Sequence, residues 1–175
     1  MLRNEMNGVI FMRKMIGSKK SFGIEYRVTD KERKMGYARI WLGGNFLGTF
    51  QDLIYFESYL LSGLEYIGKI RNLKLTSNPK ENYRILEKKV NDDDDYDIYQ
   101  YQISFVTLTD DFLIFSYHTE GLIHIHWKLM TSKKKITFDD LKPYPRRSLH
   151  HAIAYDDFWD VVNTLSDQLS KLQNL

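Results

Sequence analysis

Alternating and helical periods divide the chain into segments of different kinds. In Phe22–Val28, the side chains of Phe22, Ile24, Tyr26 and Val28 share one side, and Glu25 and Arg27 share the other. That two-residue period belongs to a half-buried strand. Gly36–Leu42 alternates less regularly, and Gly43-Gly44 forms a tight turn into Asn45–Phe50, so three antiparallel strands open the fold. At Asp52 the period becomes helical: Leu53, Phe56, Leu60, Leu64 and Ile67 recur at steps of three and four. Gly68 then occupies the place just past a helix end, where glycine is favoured.

Glu81–Val90 fits either a strand or a short helix. Asn91–Asp97 is a loop, because adjacent carboxylates repel and Asn and Asp favour turns. Tyr99, Tyr101, Ile103 and Phe105 next alternate with Gln100, Gln102 and Ser104. Turns at Thr109-Asp110 and Thr119-Glu120-Gly121 lead into Phe112–Tyr117 and Leu122–Leu129, which completes a three-strand meander. In an even hairpin register, Leu113, Phe115 and Tyr117 join Ile123, Ile125, Trp127 and Leu129 on one apolar face. His118, His124, His126 and Lys128 then turn away from it, so Trp127 is expected in the core and His126 in solvent. Thr131–His151 holds two of the three prolines and reads as an irregular connection. From Asp156 a helical stripe returns at Phe158, Val161, Leu165, Leu169 and Leu172, with Asp156 and Asp157 at the positive end of the helix dipole. The pattern predicts a single α+β domain, an antiparallel sheet of about six strands packed against two amphipathic helices.

A length of 175 residues suits one well-cored domain. An aromatic content of 14%, with 12 Tyr and 10 Phe, favours sheets and tyrosine-rich contact surfaces. The absence of cysteine excludes disulfides, thiolate metal sites and cysteine nucleophiles. Near the amino terminus, Gly8–Met12 is the only apolar run, too short for a secretory segment or a membrane span. A cytoplasmic protein without a membrane partner is expected. The net charge of +2 conceals an asymmetry. Residues 1–91 carry 17 Lys and Arg against 9 Asp and Glu, a balance of +8; residues 92–175 carry 8 against 14, a balance of −6. A chain so polarised can offer an acidic face to a basic partner. It has no Arg-rich cluster and no RNA-binding motif, so nucleic acid is not an expected ligand.

Met15–Tyr26, MIGSKKSFGIEY, and Gly36–Asp52, GYARIWLGGNFLGTFQD, resemble the opening of a bacterial immunity-protein family. It is the family numbered forty-two among the immunity proteins of polymorphic toxin systems. There a Met-Ile-Gly start leads into a Phe-x-Ile-Glu-Tyr strand, followed by a Trp-containing strand, a small-residue turn and a Gly-bearing strand. The likeness covers the first third of the chain, with looser agreement at Phe158–Leu165. It implies a protein that binds and neutralises a cognate toxin and performs no chemistry. It also implies that Met15 is the start used by relatives, with residues 1–14 an extension and residues 15–175 the immunity-type domain. The shared positions look like scaffold, so no functional residue is carried over.

The acidic run is the most informative polar feature for partner binding. Asp92, Asp93, Asp94, Asp95 and Asp97 surround Tyr96, and Tyr99 and Tyr101 follow. Carboxylates of this density steer a basic protein into encounter, and tyrosines add contact area at low entropic cost. The spacing is not that of a calcium loop, which alternates its ligands and ends on a distal Glu. His124 and His126 share one side of a strand at roughly 6.5–7 Å; with His118 they are candidate ligands of a metal-dependent hydrolase. No carboxylate has the spacing of a remaining ligand, and a solvated strand face is the plainer reading. Gly43–Gly48 lies between strands, whereas a phosphate loop precedes a helix. With no catalytic motif in the chain, the reading is a non-enzymatic toxin-binding protein without a cofactor; an interaction module with no toxin is the other alternative.

Overall fold

The computed structural model describes residues 12–70, 72–91 and 96–172, with the backbone alone at Tyr96 and Asp97. Lys14–Gly17 (β1), Phe22–Asp30 (β2) and Met35–Leu42 (β3) form antiparallel ladders, with Ile16 opposite Ile24 and Ile24 opposite Ile40. The first strand therefore begins at Lys14, before the expected one at Phe22, and it straddles the boundary drawn at Met15. Positive φ at both Gly43 and Gly44 (56° and 83°) closes the tight hairpin into Asn45–Leu47 (β4). That is the geometry a two-residue loop needs to match the twist of its strands. Ile54–Tyr55 (β5) pairs with the start of β3 and completes a five-stranded sheet.

The stripe expected from Asp52 becomes a helix only at Phe56. Its first six residues, Phe56–Leu61, are wound as a π-helix, and it continues as Ser62–Lys69 (α1). Phe56, Leu60, Leu64 and Ile67 are all buried, whereas Leu53 precedes the helix and is exposed. Gly68 lies inside the helix, not past its end. A Cβ there would stand 2.2 Å from Trp159, so the glycine permits close packing of the next helix and caps nothing.

Pro79–Asn91 (α2) settles the ambiguous segment as a helix. Asn78 caps it, its Oδ1 accepting from the Lys80 and Glu81 amides (3.0 and 3.4 Å), and Pro79 follows as the first helical residue. The alternating run after the acidic loop is not a long strand. Tyr96–Tyr101 is a 3₁₀ turn, and only Gln102–Ile103 (β6) joins the sheet. It pairs with Phe112–Thr119 (β7), which pairs with Leu122–Leu129 (β8). Leu149–Ala154 (β9) adds the fourth strand out of the stretch expected to be irregular.

The β7–β8 register corrects the expected faces. Ile114 opposes Trp127, Ser116 opposes Ile125 and His118 opposes Ile123, so His118 shares the Trp127 side. Phe115 and Tyr117 oppose His126 and His124 on the other side. Tyr155–Lys171 (α3) follows β9 at once and packs against β1, β2, β8 and β9 and against α1. Phe158 stacks on Phe22 at 5.0 Å, and Tyr26 bonds Gln168. Both sheets and all three helices contribute to one continuous core.

Between β8 and β9 the chain crosses back to the first sheet and ties it down. Asp140 pairs with Arg39, accepts from the Thr49 hydroxyl (2.8 Å) and accepts from the Phe50 amide (3.3 Å). The Tyr144 hydroxyl accepts from Trp127 Nε1 (2.8 Å) and donates to the Phe46 carbonyl. The fully buried Trp127 thus depends on a residue of this strap. Trp127→Ala should cost about 3–5 kcal/mol through the cavity it leaves. Tyr144→Phe should cost about 1–3 kcal/mol by stranding two buried polar groups. Urea unfolding of the two variants checks both values.

Candidate functional site

On the side of the second sheet opposite Trp127, one cross-strand row runs Gln102, Phe115, His126, His150. The next runs Tyr117, His124, Ala152. Helix α2 lies over these rows. Asn82, Tyr83 and Leu86 are buried beneath it, and Tyr83 meets the Phe115 ring edge-on at 5.8 Å. At its far end Glu87 pairs with Lys128 at 3.4 Å. His126 is therefore 1% exposed, against the expectation that it faces water. His124 and His126 do lie on the side away from Trp127, as expected, and that side is covered by α2.

Asn82 fixes the polar order of this layer. Its Oδ1 accepts from the Thr76 amide and hydroxyl (2.9 and 2.7 Å), so its Nδ2 must donate, to the Thr76 carbonyl (2.9 Å) and to the Tyr117 hydroxyl (3.0 Å). The Tyr117 hydroxyl hydrogen is left for His126 Nε2 at 3.3 Å, which places the imidazole hydrogen on Nδ1. That Nδ1 is buried without a partner. Tyr117 is sandwiched with the histidines, its ring 4.8 Å from His124 and 5.5 Å from His126. His124 Nδ1 and His150 Nε2 are 3.1 Å apart, and the His126 and His150 rings are 4.4 Å apart. His124 Nε2 also meets the Thr119 hydroxyl at 2.9 Å.

Burial, followed by the mutual proximity of the rings, holds these imidazoles neutral. His126 is pushed down to about 3 and His150 to about 4; His124 is also lowered, first by burial. Burial raises the Tyr117 hydroxyl. Neutral imidazoles are what metal ions bind, but His124 and His150 meet edge to edge, their planes only 16° apart and their centroids 5.3 Å apart. The two nitrogens point at one another across 3.1 Å. A metal held in line between them would need about 4 Å, twice the usual metal–nitrogen distance. Among the described residues, no group of three or more His, Asp or Glu side chains is placed to hold a metal ion. His118 cannot join the other two, because it lies on the opposite side of β7 and its Nε2 bonds the Ile67 carbonyl at 2.8 Å. His150 takes the third place, unforeseen because Leu149–Ala154 carries no clear alternation.

The acidic loop falls largely outside the described residues. Asp92, Asp93, Asp94 and Asp95 lie outside them altogether, as do the side chains of Tyr96 and Asp97. Tyr99 is 41% exposed, with its hydroxyl donating to the Val90 carbonyl at 3.2 Å. Tyr101 is a core residue, 6% exposed, and presents almost no surface. Tyr66, which the helical stripe did not single out, is exposed and donates to the Gln100 carbonyl at 2.9 Å. Exposed Tyr99 in this turn and exposed Tyr66 from α1 therefore lie on the same stretch of surface. The enclosed layer lies under Asn82, Tyr83 and Leu86 of α2, and Tyr99 meets the last turn of that helix at Val90.

His126→Ala should cost about 1–3 kcal/mol, the scale of opening a buried cavity and stranding a polar partner, where a solvent-facing histidine would cost less than about 0.5 kcal/mol. Thermal melts at pH 7.5 distinguish the two.

No family model matches the chain, and no curated protein matches its sequence. Among solved structures it is similar to the crystal structure of CdiI from Burkholderia dolosa, with a TM-score of 0.61 over 89% of this chain and 99% of that one, at 12% sequence identity. At that identity the likeness is one of fold. No described helix is long and apolar enough to cross a membrane. The α+β architecture expected from the pattern of apolar and polar positions is thus a fold that this chain shares with CdiI.

Proposed function

We propose that this is a cytoplasmic immunity protein that neutralises a cognate toxin by direct, stoichiometric binding and performs no chemistry of its own. The fold shared with CdiI along nearly the whole of both chains is the observation that carries the reading. The resemblance of Met15–Tyr26 and Gly36–Asp52 to an immunity family points the same way from sequence. Inhibition by binding needs a stable scaffold with a specific outer surface. The tightly bonded interior here, with its polar groups spent on one another, fits that requirement.

The binding surface we assign is the acidic loop Asp92–Asp97 together with exposed Tyr99, with Tyr66 beside it through Gln100. Carboxylates dispersed at the edge of an interface act mainly on association, and salt screens them. Aromatic residues at its centre act mainly on dissociation. Tyr101 is buried and leaves this set as a contact residue.

The test uses the toxin domain encoded immediately upstream of the gene, purified and immobilised. Co-expression with this protein should rescue growth, and calorimetry should give one binding site per toxin. Lack of any binding would overturn the immunity reading. Replacing Asp92, Asp93, Asp94 and Asp95 by Asn should slow association several-fold at low salt and less at high salt. Tyr99→Ala should speed dissociation by about tenfold, the effect of losing a modest interface anchor. Wild-type rates in both variants, with binding intact, would move the interface elsewhere while leaving the function standing.

A further inference from the structure

We propose that the His124–His126–His150 stack is an acid-operated latch for α2: neutral, it seats the helix on the second sheet, and charged, it releases the helix while α3 and the first sheet hold.

The argument begins with contact geometry. His124 Nδ1 and His150 Nε2 at 3.1 Å form a bond only if one of them lacks its hydrogen; two imidazolium rings would set two N–H groups against each other. His126 lies against His150 at 4.4 Å, and the oxygen its Nε2 meets already accepts from Asn82. An imidazolium at His126 therefore competes with Asn82 for the Tyr117 oxygen, and one at His124 or His150 lies against another histidine.

Among the described residues no acidic neighbour compensates. The groups facing the stack are Asn82, Tyr83 and Leu86 from α2, Phe115, Tyr117 and Thr119 from β7, and Gln102 from β6. Before α2, Lys74 and Thr76 line the adjoining cleft with His124. Among the described residues the carboxylate nearby is Glu87, which is engaged by Lys128 at 3.4 Å and by the Tyr83 hydroxyl at 3.4 Å. His118 and His151 are on the other side of the sheet. Protons have a route inward, because half-buried His124 lines that cleft beside the buried Tyr117, and the cleft measures about 270 Å³.

The direction of the effect follows from linkage. These histidines are charged less readily when α2 is seated than when it is free, with an ordinary value of 6.5 against about 4 for His150 and about 3 for His126. The released state therefore binds more protons, and its population grows as pH falls below 6.5. Each fully coupled proton changes the seating equilibrium by about tenfold per pH unit. α2 is the element that yields, since its buried face rests on this histidine layer, whereas α3 is seated on both sheets through Phe158, Val161, Val162, Leu165 and Leu169.

Amide hydrogen exchange on the full chain between pH 7.5 and 4.5, corrected for intrinsic exchange, tests the latch. Protection of Pro79–Asn91 should fall by about tenfold per pH unit below about pH 6, while that of Tyr155–Lys171 stays constant. His126→Phe, which keeps a ring in the layer, should weaken the acid response by up to about tenfold per pH unit, the share of one coupled proton. If that variant fails to fold, His150→Gln at the partly exposed edge should weaken the response instead. Equal loss of protection in α2 and α3, a flat response in the wild type, or an unchanged response in the folded histidine variants would each overturn the proposal.

Discussion

Strand β8 is enclosed on both sides, and much of the structure can be read as the consequence. A strand with one wet side may carry any polar residue there, because water satisfies it. β8 carries two histidines on its second side and has α2 above them, so each polar atom has to find its partner within the protein. Thr119, His150 and Tyr117 provide partners for three of the four ring nitrogens, and His126 Nδ1 goes without. On the first side, Trp127 presents the same demand, and Tyr144 meets it from a segment 17 residues away. The cost of enclosing these groups is offset by apolar burial on both sides of the sheet, from Leu86, Phe115 and Tyr83 above and from Ile123, Ile125 and Leu129 below.

This enclosure also marks the border of what the sequence made legible. Strong periods were read well: β2, the hairpin pair β7 and β8, and the stripes of α1 and α3. The pairing of His124 with His126 on the side away from Trp127 was visible from parity alone. The register was not, because Phe112 and Ile114 are as apolar as Leu113 and Phe115 once both sides of β7 are covered. Helix α2 is polar along most of its length and buries only Asn82, Tyr83 and Leu86, so its period was faint. Its start was written in the chain all the same, in Asn78-Pro79 with Glu81 two residues on, a cap and a first-turn acid. β9 and His150 had no comparable signal; their position depends on pairing with β8, a long-range fact.

The division of labour between interior and surface bears on function. The titratable groups with displaced equilibria are nearly all inside, and their arrangement consumes their bonding capacity. Groups that remain available to another protein are outside, among them Tyr66 and Tyr99 around the Tyr96–Tyr101 turn. A binding protein has no need of a poised nucleophile; it needs a rigid frame and an outer surface free to vary. The 12% identity with CdiI under a common fold is what such a division permits, since pattern and volume preserve a core while residue identities drift.

The position of α3 along the chain sets the order in which the fold can close. Both sheets lie upstream of it, and both rest on it, with Phe158 filling the space against Phe22. A nascent chain extruded only as far as β9 has every strand available and no wedge to join the two layers. Until Tyr155–Lys171 leaves the ribosome, the apolar seat around Phe22 and Ile24 stays uncovered, which makes the partly synthesised protein a substrate for chaperones that hold exposed apolar surface.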